Sequence, residues 1–594
     1  MAMDKTAGSL SLMTAAVMLM SVAPVPHDSF PANLLARLDP GATARNLCGR
    51  QDGTGQPMRA MLSLAAAVVQ TQSNMRAPLY DGLGEVRLPI TASNSLAQRF
   101  FDQGLAFAYG FNHAGAIASF REAQRLDPAC AMCFWGEALA HGPNINAPMN
   151  PATNARALGL ARYAQWLARN GSPAEQQLTA AMIKRYSADP KAERAGLDAA
   201  YADAMLAAAM AQPAHDDIAL LAAEAAMDTR PWDYWLADGR TPQPRLGEAV
   251  RLVETVLARN PDHPQALHLY IHLMENGPDP RRAEAAADRL ARPLAAKSGH
   301  LVHMPAHIYY RLGRWKDSMR VNIAAARADE EWIRSSGDRG LVRYGYYPHN
   351  VHFIVTSAQM AGDMATAIRE AQRLETILDT GTSAKIAWVQ AIHAAPYFAA
   401  AQFATPEQIL SMRPPDDRLP YAVAMRHYAR ALAHAQRRNR VGFEEELANL
   451  SALRRSEALQ PMIDQGVPAR DLLQLAATVA LARWAQAGGR YHEAEKHYRK
   501  AVRIEEKIPY MEPPYWYYPV QQSLGGVLYR QARYDEAIAA FTAALARSPN
   551  NGWALYGIAF SQRALGRWAH AAAAQAAFKR VWAGDPTWLR MDRL

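Results

Sequence analysis

Apolar residues recur at three- and four-residue steps along most of this chain, and the pattern falls into pairs of amphipathic segments. The pairing is plainest near the two ends. Gly525, Ala537, Phe541, Ala544 and Pro549 stand at fixed intervals, and Gly104, Ala116, Phe120, Ala123 and Pro128 reproduce them. Small residues at these points let the two helices of a hairpin touch, and the proline opens the next helix. There is no sustained period-2 alternation, and no Asn-Gly or Asp-Gly turn sits between strand-like runs. The chain is rich in Ala, Leu and Arg and poor in β-branched residues, which suits helix at nearly every surface position. The pattern predicts an all-α protein.

The intervals resemble those of the tetratricopeptide repeat, a helix–turn–helix unit of about 34 residues. From about Leu96 to Phe578 they predict a right-handed superhelix, an α-solenoid, in which each amphipathic pair buries its apolar face on its neighbours. Residues 1–75 read as an N-terminal extension, 76–258 as N-terminal repeats, 259–404 as central repeats and 405–594 as C-terminal repeats. Two stretches interrupt the helical pattern: the aromatic run Arg230 to Trp235, and Pro509 to Pro519, where five aromatic residues lie among four prolines. The second cannot continue a helix and is expected to pack as a loop against the solenoid.

The same ruler organises the central repeats. With Ala537 counted as place 20, its equivalents are Ala283, Ser318 and Ala367. His268, His303 and His352 then occupy place 5 of a first helix, His272 and His307 place 9, and His300 and His349 place 2. Places 2, 5 and 9 form one helical face, the face that looks into the concave groove in proteins with this repeat. Three neighbouring helices, roughly 8–10 Å apart, should bring the seven side chains together, with His300 and His349 at the rim of a common pocket. His393 is a candidate to continue the stripe. Place 12 offers Glu275, Tyr310 and Gln359 to complete a coordination shell or orient ligands from outside it.

Imidazole is the commonest protein metal ligand, and histidines three or four apart on a helix can chelate one ion. An all-imidazole site suits copper, zinc or iron rather than magnesium or calcium. Seven histidines exceed the needs of one tetrahedral ion, so two nearby ions are one reading. A groove of packed histidines that holds a protein or peptide partner is another. His-Glu-x-x-His, a Walker loop, a dinucleotide fingerprint and Gly-x-Ser-x-Gly are all absent. Two function classes stand: an exported repeat protein whose groove binds a transition metal, a partner or both, and a redox or hydrolytic metalloenzyme using the histidine cluster. A purely structural interaction scaffold is the plainer form of the first.

Lys and Arg exceed Asp and Glu by nine over the 594 residues, yet the excess is spread out rather than clustered, which argues against nucleic-acid binding. Near the N-terminus, Lys5 precedes an apolar run from Leu10 to Val22, and Arg59 precedes a second from Met61 to Val69. Both are too short to span a membrane and read as export signals, with Met58 or Met61 as alternative starts. Export to the periplasm or beyond is the expectation, a cytoplasmic protein with an N-terminal extension the alternative. Cys48 lies upstream of the second signal, leaving Cys130 and Cys133 at the start of a helix that Pro128 opens. Three residues apart on one face, they can form a disulfide or hold a soft metal ion. Phe134 follows them where covalent haem attachment needs His.

Several motifs together resemble a family of exported bacterial tetratricopeptide proteins. They are Leu79-Tyr80-Asp81-Gly82-Leu83-Gly84, Phe111-Asn112-His113, Cys130-Ala131-Met132-Cys133-Phe134-Trp135-Gly136 and Gly142-Pro143-Asn144-Ile145-Asn146. To these add His300-Leu301-Val302-His303-Met304-Pro305-Ala306-His307, Tyr346-Tyr347-Pro348-His349-Asn350 and Pro513-Pro514-Tyr515-Trp516-Tyr517-Tyr518-Pro519. The resemblance covers roughly residues 79–580 and implies the repeat fold and export, but no particular reaction.

Overall fold

The computed structural model describes residues 77–189, 191–277 and 279–594. Cys48, both candidate export signals and the alternative starts lie outside the described residues. From Ser95 onward the described chain is a succession of helices, and its only extended pairings are the isolated bridges Asn144–Ala147 and Trp235–Pro242.

The spacing read from the sequence has a direct packing cause. Phe120 and Phe541 are fully buried, each wedged between glycines of two successive first helices. A Cβ on Gly104 or Gly136 would stand 2.6 or 2.3 Å from the Phe120 ring, and one on Gly525 or Gly557 would stand 2.6 or 2.2 Å from Phe541. All four distances are far inside van der Waals contact. The glycines are therefore required by a ring that locks each hairpin to the next. Ser95–Tyr109 packs on His113–Leu126 in this way, and Val520–Arg530 on Tyr534–Arg547.

The superhelix closes on itself. The C-terminal repeats touch the central ones: Trp315 Nε1 donates to the Asn550 carbonyl at 3.1 Å, Asn550 Nδ2 to the Leu312 carbonyl at 3.1 Å, and Trp553 Nε1 to the Gln359 carbonyl at 3.0 Å. From the other side, the Lys297 amide donates to the Gly82 carbonyl at 2.8 Å. As expected, residues 509–519 carry no helix, and they fill the space that an open groove would leave. The histidine face consequently looks onto the chain's own N-terminal repeat and this loop. At the stripe the histidines therefore contact the chain's own side chains, as in the reading of a groove closed into a pocket.

The extra segment between the second and third histidine repeats extends the helix Trp315–Ser336 and then makes the π-helical turn Val342–Tyr346. Among the described residues, no helix is long and apolar enough to cross a membrane.

Candidate metal centre

Four short elements carry the histidines. Pro264–Glu275 presents His268, His272 and Glu275; Gly299–His303 presents His300 and His303; Pro305–Arg311 presents His307; Tyr347–Ala361 presents His349 and His352. Prolines at the first turn of three of these helices start them without losing an interior hydrogen bond. The first five histidines and His352 are buried, and His349 is partly so.

The side chains sort into three groups in which one donor atom per residue lies within 4.8 Å of the others: His268, His272 and His300; His303, His307 and His349; and Glu275, His307 and Glu512. The two imidazole trios adjoin, with ring centroids 6.4 Å apart from His272 to His307 and 6.3 Å from His300 to His303. His300 and His349, expected at the rim, instead complete the trios. His352, expected in the pocket, is outside both and places Nε2 2.6 Å from the Tyr517 hydroxyl. The reason is the 509–519 loop, which delivers Tyr517 to His352 and Glu512 to His307.

The outer hydrogen bonds fix the tautomers. Gln265 gives its amide nitrogen to Glu224 at 3.0 Å, so its Oε1 faces His268 Nδ1 at 2.9 Å. Asn322 gives its amide nitrogen to the Ser318 carbonyl at 2.8 Å and turns Oδ1 to His303 Nδ1 at 2.6 Å. Glu275 receives the hydrogen bond of His272 Nδ1 at 2.6 Å on one oxygen and pairs ionically with His307 Nδ1 at 2.7 Å through the other, while Glu512 receives the His307 Nδ1 hydrogen bond at 3.0 Å. All four acceptors are oxygens without hydrogens, so each of these Nδ1 atoms carries the proton. The Nε2 atoms of His268, His272, His303 and His307 are thereby turned inward. Two pairs meet, His268 with His300 at 3.1 Å and His303 with His307 at 2.8 Å. His272 Nε2 is buried without a hydrogen-bond partner.

Two nitrogens 2.8 Å apart need one proton between them, and the electrostatics place it. Burial opposes charge on His307, but Glu275 and Glu512 outweigh it and hold its imidazolium up to about 10. Burial likewise opposes charge on Glu275, yet His307 and His272 bring it down to about 2. His307 Nε2–H therefore donates to the lone pair of His303. Burial, aided by neighbouring imidazolium charge, pushes His268, His300, His303 and His349 well below the ordinary histidine range, and burial alone takes His352 down to about 3. The cluster is thus mostly neutral, the form that ligates metal.

This donor set fits a transition metal. Three imidazoles converge in each trio, the opposite ring nitrogens are held by oxygen acceptors as ligating histidines are, and one inward lone pair lacks a partner. Of the place-12 residues only Glu275 takes part. The Tyr310 ring packs on Trp315 and Phe353, and Gln359 Nε2 donates to Gln402 at 2.7 Å. Those side chains face packing partners because their helices present a later turn to the neighbouring repeat. His393 pairs with Ser383 at 2.9 Å and does not extend the stripe. Gln265, Asn322, Glu512 and Tyr517 were not singled out from sequence. Gln265 alone had a local signal, lying three residues before His268; the others arrive from elsewhere in the fold.

Cys130 caps the helix Ala131–His141 and is joined to Cys133 by a disulfide, with Cα atoms 5.4 Å apart. Both are fully buried, so of the two sequence expectations the disulfide is the one formed and no thiolate pair stands free for a soft metal.

The architecture defines a class: a closed all-α superhelix of helix–turn–helix repeats around a polar, histidine-rich interior. Residues 518–551 match the family described as Tetratricopeptide repeat, in the register set by Ala537 at place 20. That segment is a tetratricopeptide repeat. Among solved structures, a human IFIT1 dimer with m7Gppp-AAAA is 13% identical, with 72% of this chain and 86% of that one covered at a TM-score of 0.29. The Cut9–Hcn1 hetero-tetramer of APC/C is 14% identical over 84% and 89%, at 0.27, and the P58(IPK) TPR domain 13% identical over 59% and 91%, at 0.18. No curated protein matches the chain.

Proposed function

We propose that this protein is an exported tetratricopeptide repeat protein whose interior binds transition-metal ions, copper, zinc or iron, at the two adjoining histidine trios. The observation that carries the reading is the orientation of the rings: four Nδ1–H groups are tied to Gln265, Glu275 and Asn322, so the Nε2 lone pairs of His268, His272 and His303 converge, with the Nε2 of His307 turned among them and freed when an ion displaces its proton. Packing alone gives no reason to leave the Nε2 of His272 unpartnered in a buried site, where an unmade hydrogen bond costs about 1–3 kcal/mol. Glu275 and Glu512 supply negative charge beneath the ligands, which offsets the cost of burying a divalent cation. A bound ion would supply Lewis acidity or redox chemistry; this chain's residues hold the ligands, exclude water and fix their protons.

Export is supported by the disulfide, since such bonds persist in oxidising compartments. Repeats of this type commonly serve as protein-interaction scaffolds, and that reading applies to surfaces other than the buried stripe. Elemental analysis of the untagged, purified chain decides the matter. Stoichiometric metal that is lost in His303→Ala and His307→Ala, and kept in His570→Ala, is the expected result. A metal-free protein that takes up no copper, zinc or iron on titration would leave the scaffold reading alone.

A further inference from the structure

Away from the histidines, the central and C-terminal repeats together line a cavity of about 660 Å³, within the size range of small-molecule sites. Its wall carries Arg483, from the helix Ala469–Ala487. Nη2 of Arg483 donates to the Ser523 hydroxyl at 3.1 Å, and the groups that surround the guanidinium are the phenols Tyr428, Tyr498 and Tyr518. None of these is an anion at neutral pH, and Arg483 forms no ion pair among the described residues. A guanidinium is charged at every physiological pH. Half-buried beside a cavity and without a counter-charge, it stands ready for an anionic group. The same wall is lined by the aromatic side chains of Phe398, Tyr428 and Trp588, by Arg530, Arg590, Arg593 and Asp592 toward its outer part, and by the Gln359 side chain, whose buried Oε1 has no hydrogen-bond partner.

We infer that this cavity binds a small free aromatic carboxylate: Arg483 takes the carboxylate, the rings take the planar body, and Gln359 Oε1 accepts from a hydroxyl. An unpaired cation, aromatic side chains and a lone acceptor together favour this class over inorganic anions, which need no aromatic wall, and over neutral aromatics, which leave the charge unmatched. The inference stands whether or not the histidines hold metal.

The test is calorimetric titration of the full chain with 4-hydroxyphenylacetate, with its neutral counterpart tyrosol (the primary alcohol), and with inorganic phosphate. One saturable site is expected for the acid, with tyrosol and phosphate at least tenfold weaker. Arg483→Gln should weaken the acid at least tenfold. Ala401→Trp, which fills the cavity from another part of its wall and leaves Arg483 in place, should abolish binding. Circular dichroism establishes that each variant is folded; if Arg483→Gln is not, Ala401→Trp decides alone. The inference is overturned if the acid does not bind, if tyrosol or phosphate binds as tightly, or if a folded variant binds the acid unchanged.

Discussion

Glu275 and His307 belong to neighbouring repeats, yet they form a buried ion pair at 2.7 Å in which the carboxylate's other oxygen holds His272 at 2.6 Å. One carboxylate thus anchors a ligand of each trio. Glu275→Gln should lower metal affinity at both trios by about 10–100-fold, the usual effect of losing such an outer partner. In the metal-free protein it should also cost about 3–5 kcal/mol, because it strips a buried imidazolium of a counter-charge. Denaturant unfolding of the metal-free variant measures the second effect; unchanged stability would show that the pair carries little energy.

The two trios should be separable. His272→Ala and His349→Ala should each remove the metal of one trio and leave the other loaded, whereas the double variant should bind none. Elemental analysis reads this directly. If either single variant loses all metal, the six histidines of the two trios act as one centre.

Acid should destabilise the metal-free protein. His268, His300, His303, His349 and His352 have folded-state pKa values below the unfolded value of about 6.5. A group depressed in this way contributes stability above its unfolded pKa and loses it as pH falls toward the folded one, because the unfolded chain then binds more protons. Several such groups make the loss steep below about pH 6.5. His307 acts in the opposite sense: raised to about 10, it contributes stability at neutral pH and below, lost as pH climbs toward 10. Thermal melts at a series of pH values should therefore fall off on both sides, and more sharply on the acid side.

Glycine substitutions should divide by position. At Gly525 an added methyl meets the Phe541 ring at 2.6 Å, so overpacking of about 1–3 kcal/mol outweighs the roughly 1 kcal/mol that alanine gains in helix propensity. Gly159, in the helix Asn154–Leu167, has nothing within 4 Å of such a methyl and should be stabilised by alanine. Opposite shifts in melting temperature for Gly525→Ala and Gly159→Ala are expected; equal shifts would contradict the packing.

Thiol titration of the unreduced, unfolded protein should find neither Cys130 nor Cys133 free. The loop they close is short, so Cys133→Ser should cost only about 2 kcal/mol. Two titratable thiols at these positions would remove the support that the bond lends to export.

Much of the fold was legible along the chain because it repeats: Gly104, Phe120, Gly525 and Phe541 are local consequences of one ring packing between two helices, and a periodic packing rule leaves a periodic sequence. The histidine stripe was legible for the same reason, since places 2, 5 and 9 share a helical face whatever the rest of the chain does. Only the tertiary structure decided how the stripe was divided. Glu512 lies 205 residues from His307, and Tyr517 lies 165 from His352. Both come from a loop with no repeat register, so no spacing rule could bring them in. The closure of the superhelix, through contacts such as Trp315 to Asn550 across 235 residues, turned a face that the repeat alone would leave open into a buried interior. Periodicity fixes which side chains share a surface. What covers that surface, and hence which histidines are neutral, which is charged and which nitrogen faces inward, depends on parts of the chain that meet only when the whole superhelix is formed.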